Sequence, residues 1–458
     1  MQPTRYTGSE MPLSPTNERH QATDGATDAR MLDQLQQAAF GYFTQACNPR
    51  NGLVADTSRE GSPSSIAVVG FALSAYPVAV ERGWMKRAEA VRRTLATLRF
   101  FRDSDQSGEP GATGYKGFYY HFLDMRDGTR AWSSELSMID TALLIAGMQA
   151  ARMYFDADGT DETELRELAD LLYHRVDWRW AQDGGTTIRQ GWKPECSFLH
   201  YGWEGYSEAI VLYALAAGSP THPVAHDCYK AWTATYQWEN LYGQDYLYAG
   251  PLFVHQFSHA WIDFCGIHDR FMREKRSDYF ENSRRAVRVQ REYARLNPHA
   301  FASYGEDCWG LSACDGPTGS VVDGAGETHG LPGYAARGVP YGPDDGTLSA
   351  PAVLASLPFE PVLALRALRC MLARHPSILS DGRLAGAFNP SVTDERGRAW
   401  VSPGHYGLDQ GIVLMMIENH RSAMIWRLMH GCPGLRRGLR RLGFRGGWLS
   451  PPAAKETG

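Results

Sequence analysis

The stretch Tyr201–Pro223, YGWEGYSEAIVLYALAAGSPTHP, governs the reading of the chain. Two carboxylates, Glu204 and Glu208, and three aromatics, Tyr201, Trp203 and Tyr206, crowd the eight residues before an apolar run. Ser207 or Gly205 is placed to cap a helix there, and Gly218 with Pro220 is placed to end it. Ile210, Val211, Leu212 and Leu215 make that helix apolar on most sides, so burial is expected. A carboxylate at the mouth of a buried helix, ringed by Trp and Tyr, suits carbohydrate cleavage. Flat rings stack on sugar faces and an acid protonates the leaving oxygen. The competing reading is that Glu208 only complements the helix dipole in the first turn.

Outward from this stretch, helical periodicity predicts helices over Met31–Cys47, Ser64–Tyr76, Met85–Phe101, Ser134–Phe155, Glu162–Arg175, Tyr279–Leu296, Ala350–Ala373 and Leu408–Met429. Tyr246–Phe264 reads as a loop feeding a further apolar helix, and 111–132 as an aromatic hairpin or long loop. No exact repeat occurs. Apolar helices nevertheless alternate with amphipathic ones, which implies an inner and an outer ring, because only an inner helix is covered on all sides. The expected fold is all-α, a single toroid of about ten to twelve helices with minor strand content confined to loops. Its aromatic, glycine-rich loops would open at one end. Residues 303–346 form a glycine-rich segment too long to be a plain connection, and are expected to wall the site. Residues 1–30 read as a disordered or surface-draped arm, 31–430 as the helical domain, and 431–458 as a basic, solvated tail.

Composition narrows the function classes. A net charge of −5 argues against nucleic acid as the main partner, since phosphate binding needs concentrated basic surface. No apolar stretch is long enough to span a membrane. Thirteen Trp and 22 Tyr exceed what the core requires and favour a ligand with flat faces, such as a sugar. The eight cysteines show neither a Cys-x-x-Cys pair nor a zinc spacing, and Cys308 and Cys314 are expected to be free thiols. The polar first thirty residues lack the apolar core of a secretory signal, which points to the cytoplasm; a periplasmic or secreted location would need an unrecognised route.

Carboxylates and aromatics collect in four patches: Glu135 with Asp140, Glu204 with Glu208, Asp263 and Asp269 with His255 and His259, and Asp409 with Gln410. Glycoside cleavage needs one protonated carboxyl to deliver a proton and one ionised carboxylate to activate water or attack carbon. Glu208 is the expected acid, its pKa raised by burial, and Asp409 the expected base, in a more polar setting beside His405 and Tyr406. Helix capping is the alternative for each. Asp140 is read as lying a turn inside an apolar helix, where it needs an Arg partner or a sugar hydroxyl. His255 and His259 have the i, i+4 spacing of metal ligands, but HQFSH lacks the Glu of HExxH. No metal and no cofactor is expected.

Five ordered blocks, Ser133–Gly147, Trp203–Pro223, Gly250–Phe264, Ala355–Leu368 and Gly407–Met429, together resemble the glycoamylase-like family, whose members include bacterial endo-β-1,2-glucanases. A related domain occurs in cyclic β-1,2-glucan synthases. The resemblance spans about Met31 to Met429. It implies an (α/α)6 barrel and inverting hydrolysis of β-1,2-glucan or a related β-glucan. It also implies that Glu208 and Asp409 are the essential acidic residues and that Glu135 and Asp140 line the sugar cleft. Trp203, Tyr206, Trp261, Trp309 and Tyr406 are the rings expected near sugar; Glu204, His259, Asp263 and Gln410 complete the candidate site. The alternatives are a transglycosylase, a polysaccharide lyase using His200-Tyr201 or His405-Tyr406, and a glucan-binding protein without catalysis.

Overall fold

A computed structural model describes residues 15–450. Its helices are α1 (Pro15–Gln45), α2 (Ile66–Glu81), α3 (Arg87–Asp103), α4 (Met138–Tyr154), α5 (Thr160–Arg175), α6 (Ile210–Gly218), α7 (His226–Thr233), α8 (Arg270–Lys275), α9 (Tyr279–Leu296), α10 (Ala350–Ala355), α11 (Pro361–Arg374), α12 (Gly407–Ser422), α13 (Met424–His430) and α14 (Pro433–Arg441). The chain is thus mostly helical, and the strands among the described residues are short, in seven two-stranded sheets and one three-stranded sheet.

Burial separates two sets of helices. Every residue of α6 and α10 is buried, as is nearly all of α2 and α4. In α3, α5, α9 and α11 only one face is buried. The buried helices neighbour one another in sequence order: α2 packs on α4, α4 on α6, and α12 on both α10 and α2. Glycine sets the closest approach. A Cβ on Gly147 of α4 would stand 2.0 Å from the Gly70 carbonyl oxygen of α2, so the backbones touch where side chains would hold them apart.

Between α6 and α10 the expected apolar helix is replaced by two 3-10 turns, Leu252–His255 and Phe257–Ala260. Side chains here take the backbone partners that a helix would use. The Ser258 hydroxyl donates to the Glu208 carbonyl (2.6 Å) and accepts from Val211 N–H, and Gln256 donates to the Ala352 carbonyl at 2.7 Å. Two other predicted helices are broken. Pro358 and Pro361 divide 350–373 into α10 and α11, and Ala423, at φ +53°, divides 408–429 into α12 and α13. In contrast, α2 continues through Pro77 to Glu81, past its predicted end.

Both termini differ from expectation. The helix α1 begins at Pro15, so 15–30 is helical; residues 1–14 lie outside the described part of the chain. The described part of the basic tail is docked, not solvated: Gly434, Leu435, Gly438 and Leu439 of α14 are buried against α6. Arg437 and Arg441 donate to the carbonyls of Gly218 and Ala217, which end α6, where positive charge meets the negative end of the helix dipole. Among the described residues no helix is long and apolar enough to cross a membrane, and all eight cysteines are free.

Candidate active site

The segments preceding the buried helices are sewn together. Ser64–Ser65, before α2, pair with Phe122–Leu123; Leu136–Ser137, before α4, bridge to Tyr120. Thr57 bridges Tyr406, and Gly407 N–H donates to the Asp56 carbonyl at 2.7 Å, joining the start of α12 to the loop before α2. Four carboxylates are placed by these joints: Asp56, Asp140, Glu208 and Asp409. They interact in a chain, Glu208 with Asp140, Asp140 with Asp56, and Asp56 with Asp409.

Like charges gathered in a partly buried cleft do not all ionise readily. Burial, then Asp140, pushes Glu208 up to about 7. Burial, then Asp56, pushes Asp409 up to about 8. Asp56 itself rises to about 6, mainly through burial. The more polar setting expected for Asp409 is therefore absent. Its neighbour is a second carboxyl, and the two behave as a pair that carries one proton, and so one charge, between about pH 6 and 8.

His121 is the cation that most answers this charge, with Arg59 acting on Asp56 as a weaker one. His121 Nδ1 lies 3.0 Å from Glu135 Oε1 and Nε2 lies 3.5 Å from Asp140 Oδ2. Burial opposes its charge, but Asp140, Glu135 and Asp56 overcome it and push His121 up to about 9, so it is an imidazolium at neutral pH. Asp140 is not a turn inside its helix. It occupies the first turn of α4, where its N–H donates to the N-cap Ser137 hydroxyl at 3.2 Å and its carboxylate meets the same hydroxyl. Among the described residues no arginine partners it; His121 does.

The 303–346 segment does wall this cleft. Asp315 accepts from Tyr406 OH (3.0 Å) and Ser402 OH (3.1 Å) and pairs with Arg59, which also donates to Tyr406 OH at 2.7 Å. Arg337 and Asp345, both buried, make two 2.7 Å hydrogen bonds that staple the base of the wall. Tyr334, just beyond the strand Thr328–Pro332, is 68% exposed as a residue. Its hydroxyl is pushed up to about 12, first by burial and then by Cys314, Asp409, Glu208 and Asp140, so it lies within electrostatic reach of three of the cleft carboxylates.

Of the residues singled out from sequence, Glu135, Asp140, Glu208, Asp409 and Tyr406 come together here. Glu204 is exposed near the mouth, within 3.4 Å of the Thr187 hydroxyl, and Trp203 is partly buried beside it. The others do not face the cleft. Tyr206 stacks on Tyr279 and packs against Tyr236 and His255. Trp261 is fully buried, its indole N–H donating to Ser74, two turns down α2. Trp309 is fully buried as well, and Gln410 is buried and spends its amide on the Leu384 carbonyl. His259 sits between Phe264 and Phe359 and bonds Ser283; burial, with His255, drives it down to about 3, so it is a neutral core histidine. Asp263 lies beside His430 (3.3 Å) and accepts from Trp448 N–H through its carbonyl, next to α13 and α14. In each case packing or a partner inside the fold holds the side chain, although the Trp309 indole N–H is buried without a hydrogen-bond partner among the described residues.

The family model described as "Putative glucoamylase" matches residues 200–433, more than half of the chain. The chain belongs to the glycoamylase-like family. A curated relative of this family member, the exo β-1,2-glucooligosaccharide sophorohydrolase (non-reducing end) of Parabacteroides distasonis, is 27% identical over 91% of the chain. The chain spans only 58% of that relative's length. A "putative glucoamylase" of Bacteroides uniformis superposes with a TM-score of 0.82 at 29% identity, over 92% of this chain and 99% of that one. The endo-β-1,2-glucanase of Chitinophaga pinensis, solved with sophorotriose and glucose, superposes with a TM-score of 0.78 at 25% identity, over 92% and 99%.

Sequence reasoning missed four cleft residues of this glycoamylase-like chain: Asp56, Arg59, His121 and Tyr334. All sit in loops, where no periodicity marks them. His121 carried a signal: it lies in an aromatic run, 118–122, between two turn-rich stretches.

Proposed function

We propose that the chain is a β-1,2-glucan hydrolase built on a single (α/α)6 barrel. The inner ring comprises α2, α4, α6, the 252–260 turns, α10 and α12, and the outer ring α1, α3, α5, α7, α9 and α11. The observation that carries the reading is the placement of two carboxyls at the starts of two inner helices, Glu208 just before α6 and Asp409 in the first turn of α12, each raised mainly by burial, to about 7 and about 8. Relatives named for action on β-1,2-linked glucose support the substrate class.

Glu208 is protonated below about pH 7 and donates its proton to the glycosidic oxygen as the C1–O bond breaks. The Asp56/Asp409 pair carries one charge near neutral pH, favouring Asp56 at about 6 over Asp409 at about 8, and this ionised pair accepts a proton from the water that attacks C1 from the opposite face. The leaving sugar departs with a free hydroxyl and the anomeric configuration inverts. His121 holds Glu135 and Asp140 for hydrogen bonding to sugar hydroxyls, and Tyr406 and Trp203 supply flat faces at the mouth.

The test is release of reducing ends from linear β-1,2-glucan, with β-1,3- and β-1,4-glucans alongside. Release from the β-1,2-linked polymer, lost about 10²–10⁴-fold in Glu208→Gln and Asp409→Asn, is expected. Equal activity on all three polymers would overturn the substrate class, and full activity in either variant would overturn the pair.

A further inference from the structure

We propose that His299, Asp323, Glu327 and His329 form a zinc-class metal site that ties the hairpin Thr318–Val322/Thr328–Pro332 to the segment after α9. The four side chains each present one donor atom, and these atoms all lie within 4.8 Å of one another. His299 follows Asn297, the left-handed residue that ends α9. Asp323 and Glu327 lie in the hairpin turn and His329 in its returning strand.

Asp323 organises the group. Its Oδ1 accepts from the N–H groups of Ala325 (2.9 Å) and Glu327 (2.8 Å), which fixes the turn and leaves Oδ2 directed at the imidazoles. Oδ2 lies 2.8 Å from His329 Nε2 and 3.9 Å from His299 Nδ1. The two rings stand nearly perpendicular, 76°, with centroids 5.0 Å apart, and Phe301 packs on His329 at 4.9 Å. An Asp323–His329 ion pair alone would account for two of these residues. It does not account for His299 and Glu327 converging on the same point from separate parts of the chain.

The donor set selects the metal. Two imidazoles and two carboxylates are too rich in nitrogen for calcium or magnesium and suit zinc or a similar first-row ion. Tetrahedral zinc with bonds of about 2.0–2.1 Å needs donors about 3.3 Å apart. The fixed pair already brackets that value, and Glu327, being exposed, can close the remainder by side-chain rotation. Local spacing hides such a site in sequence, because the donors come from two loops and none forms a metal-binding motif with its neighbour. The strand that carries His329 runs on to Pro332 and Tyr334, so an ion here would fix the cleft wall at a distance from the carboxylates. The proposal does not depend on the reaction assigned to that cleft.

The test is zinc binding by the full chain after chelator stripping, read by competition with a chromophoric chelator and by metal content after dialysis. One zinc per chain is expected, weakened at least tenfold in His299→Ala, His329→Ala and Glu327→Gln. Glu327→Gln guards against misfolding, because it is exposed and should leave the zinc-free melting temperature unchanged. Zinc should also slow protease nicking within 318–332 in the parent and not in the variants. Absence of stoichiometric binding, or binding that survives in the His299→Ala/His329→Ala double variant, would overturn the proposal.

Discussion

His121 holds its Nδ1 3.0 Å from Glu135 Oε1, and through that contact a single imidazolium is fixed among the cleft carboxylates. Its other nitrogen approaches Asp140, which in turn interacts with Glu208 and Asp56. The proton inventory of the cleft therefore depends on this one ring.

Replacing His121 with Asn removes the largest counter-charge of Asp56 and Glu135 and leaves only the weaker influence of Arg59 and Lys193. Their pKa values should rise, and the acid limb of the kcat/KM profile should move up by about one pH unit. An unmoved limb would separate His121 from catalysis.

The pH profile of the parent should be a narrow bell. Activity requires one charge on the Asp56/Asp409 pair, gained as pH rises through about 6, and a proton on Glu208, lost through about 7. Both values are raised above those of free carboxyls. The optimum should therefore lie between them, and kcat/KM measured from pH 4 to 9 reads it directly.

The same shifts act on stability. A carboxyl whose folded pKa is raised favours folding below its unfolded pKa, near 4, and loses that advantage as pH rises through the folded value. Asp409→Asn should then be more stable than the parent by on the order of 1–2 kcal/mol at pH 8 and above, and equal to it near pH 4. Thermal melts at both pH values distinguish this from a pH-independent gain.

Arg337 and Asp345 form a buried pair at the base of the wall, with side chains 0% and 6% exposed. Arg337→Met strands a carboxylate and should cost about 3–5 kcal/mol. Because Arg337 also bonds the Gly333 carbonyl, next to Tyr334, KM should rise in any folded fraction. Melting and kinetics on the same preparation check both.

A Cβ on Gly438 would stand 1.7 Å from the Ala214 carbonyl oxygen, so Gly438→Ala must push α14 off α6. A loss of about 1–3 kcal/mol is expected, against almost none for the same change at exposed Gly111, where Cβ would meet nothing within 4 Å and φ lies outside the left-handed region. Comparable losses at both positions would mean that docking does not set the cost.

Periodicity exposed the long helices, because α9 and α4 bury one face or all faces at helical spacing. It failed at 246–264, where Ser258 and Gln256 divert the backbone, a choice made by partners far away in sequence. Glu208 and Asp409 were legible because they begin apolar helices. His259, Trp261, Trp309 and Asp263 misled for a related reason: a polar or aromatic residue in an apolar block looks functional until its buried partner is seen. Asp56 and His121 lie in loops, and only the joining of those loops brings them to the cleft.

The most direct test of the hydrolase account is to follow the anomeric proton by NMR while the protein digests linear β-1,2-glucan, with Glu208→Gln and Asp409→Asn as controls. The account predicts short oligosaccharides whose new reducing ends appear first as the α anomer, and neither variant producing them. Products that first appear as the β anomer, unsaturated products absorbing in the ultraviolet, or no turnover at all would contradict it.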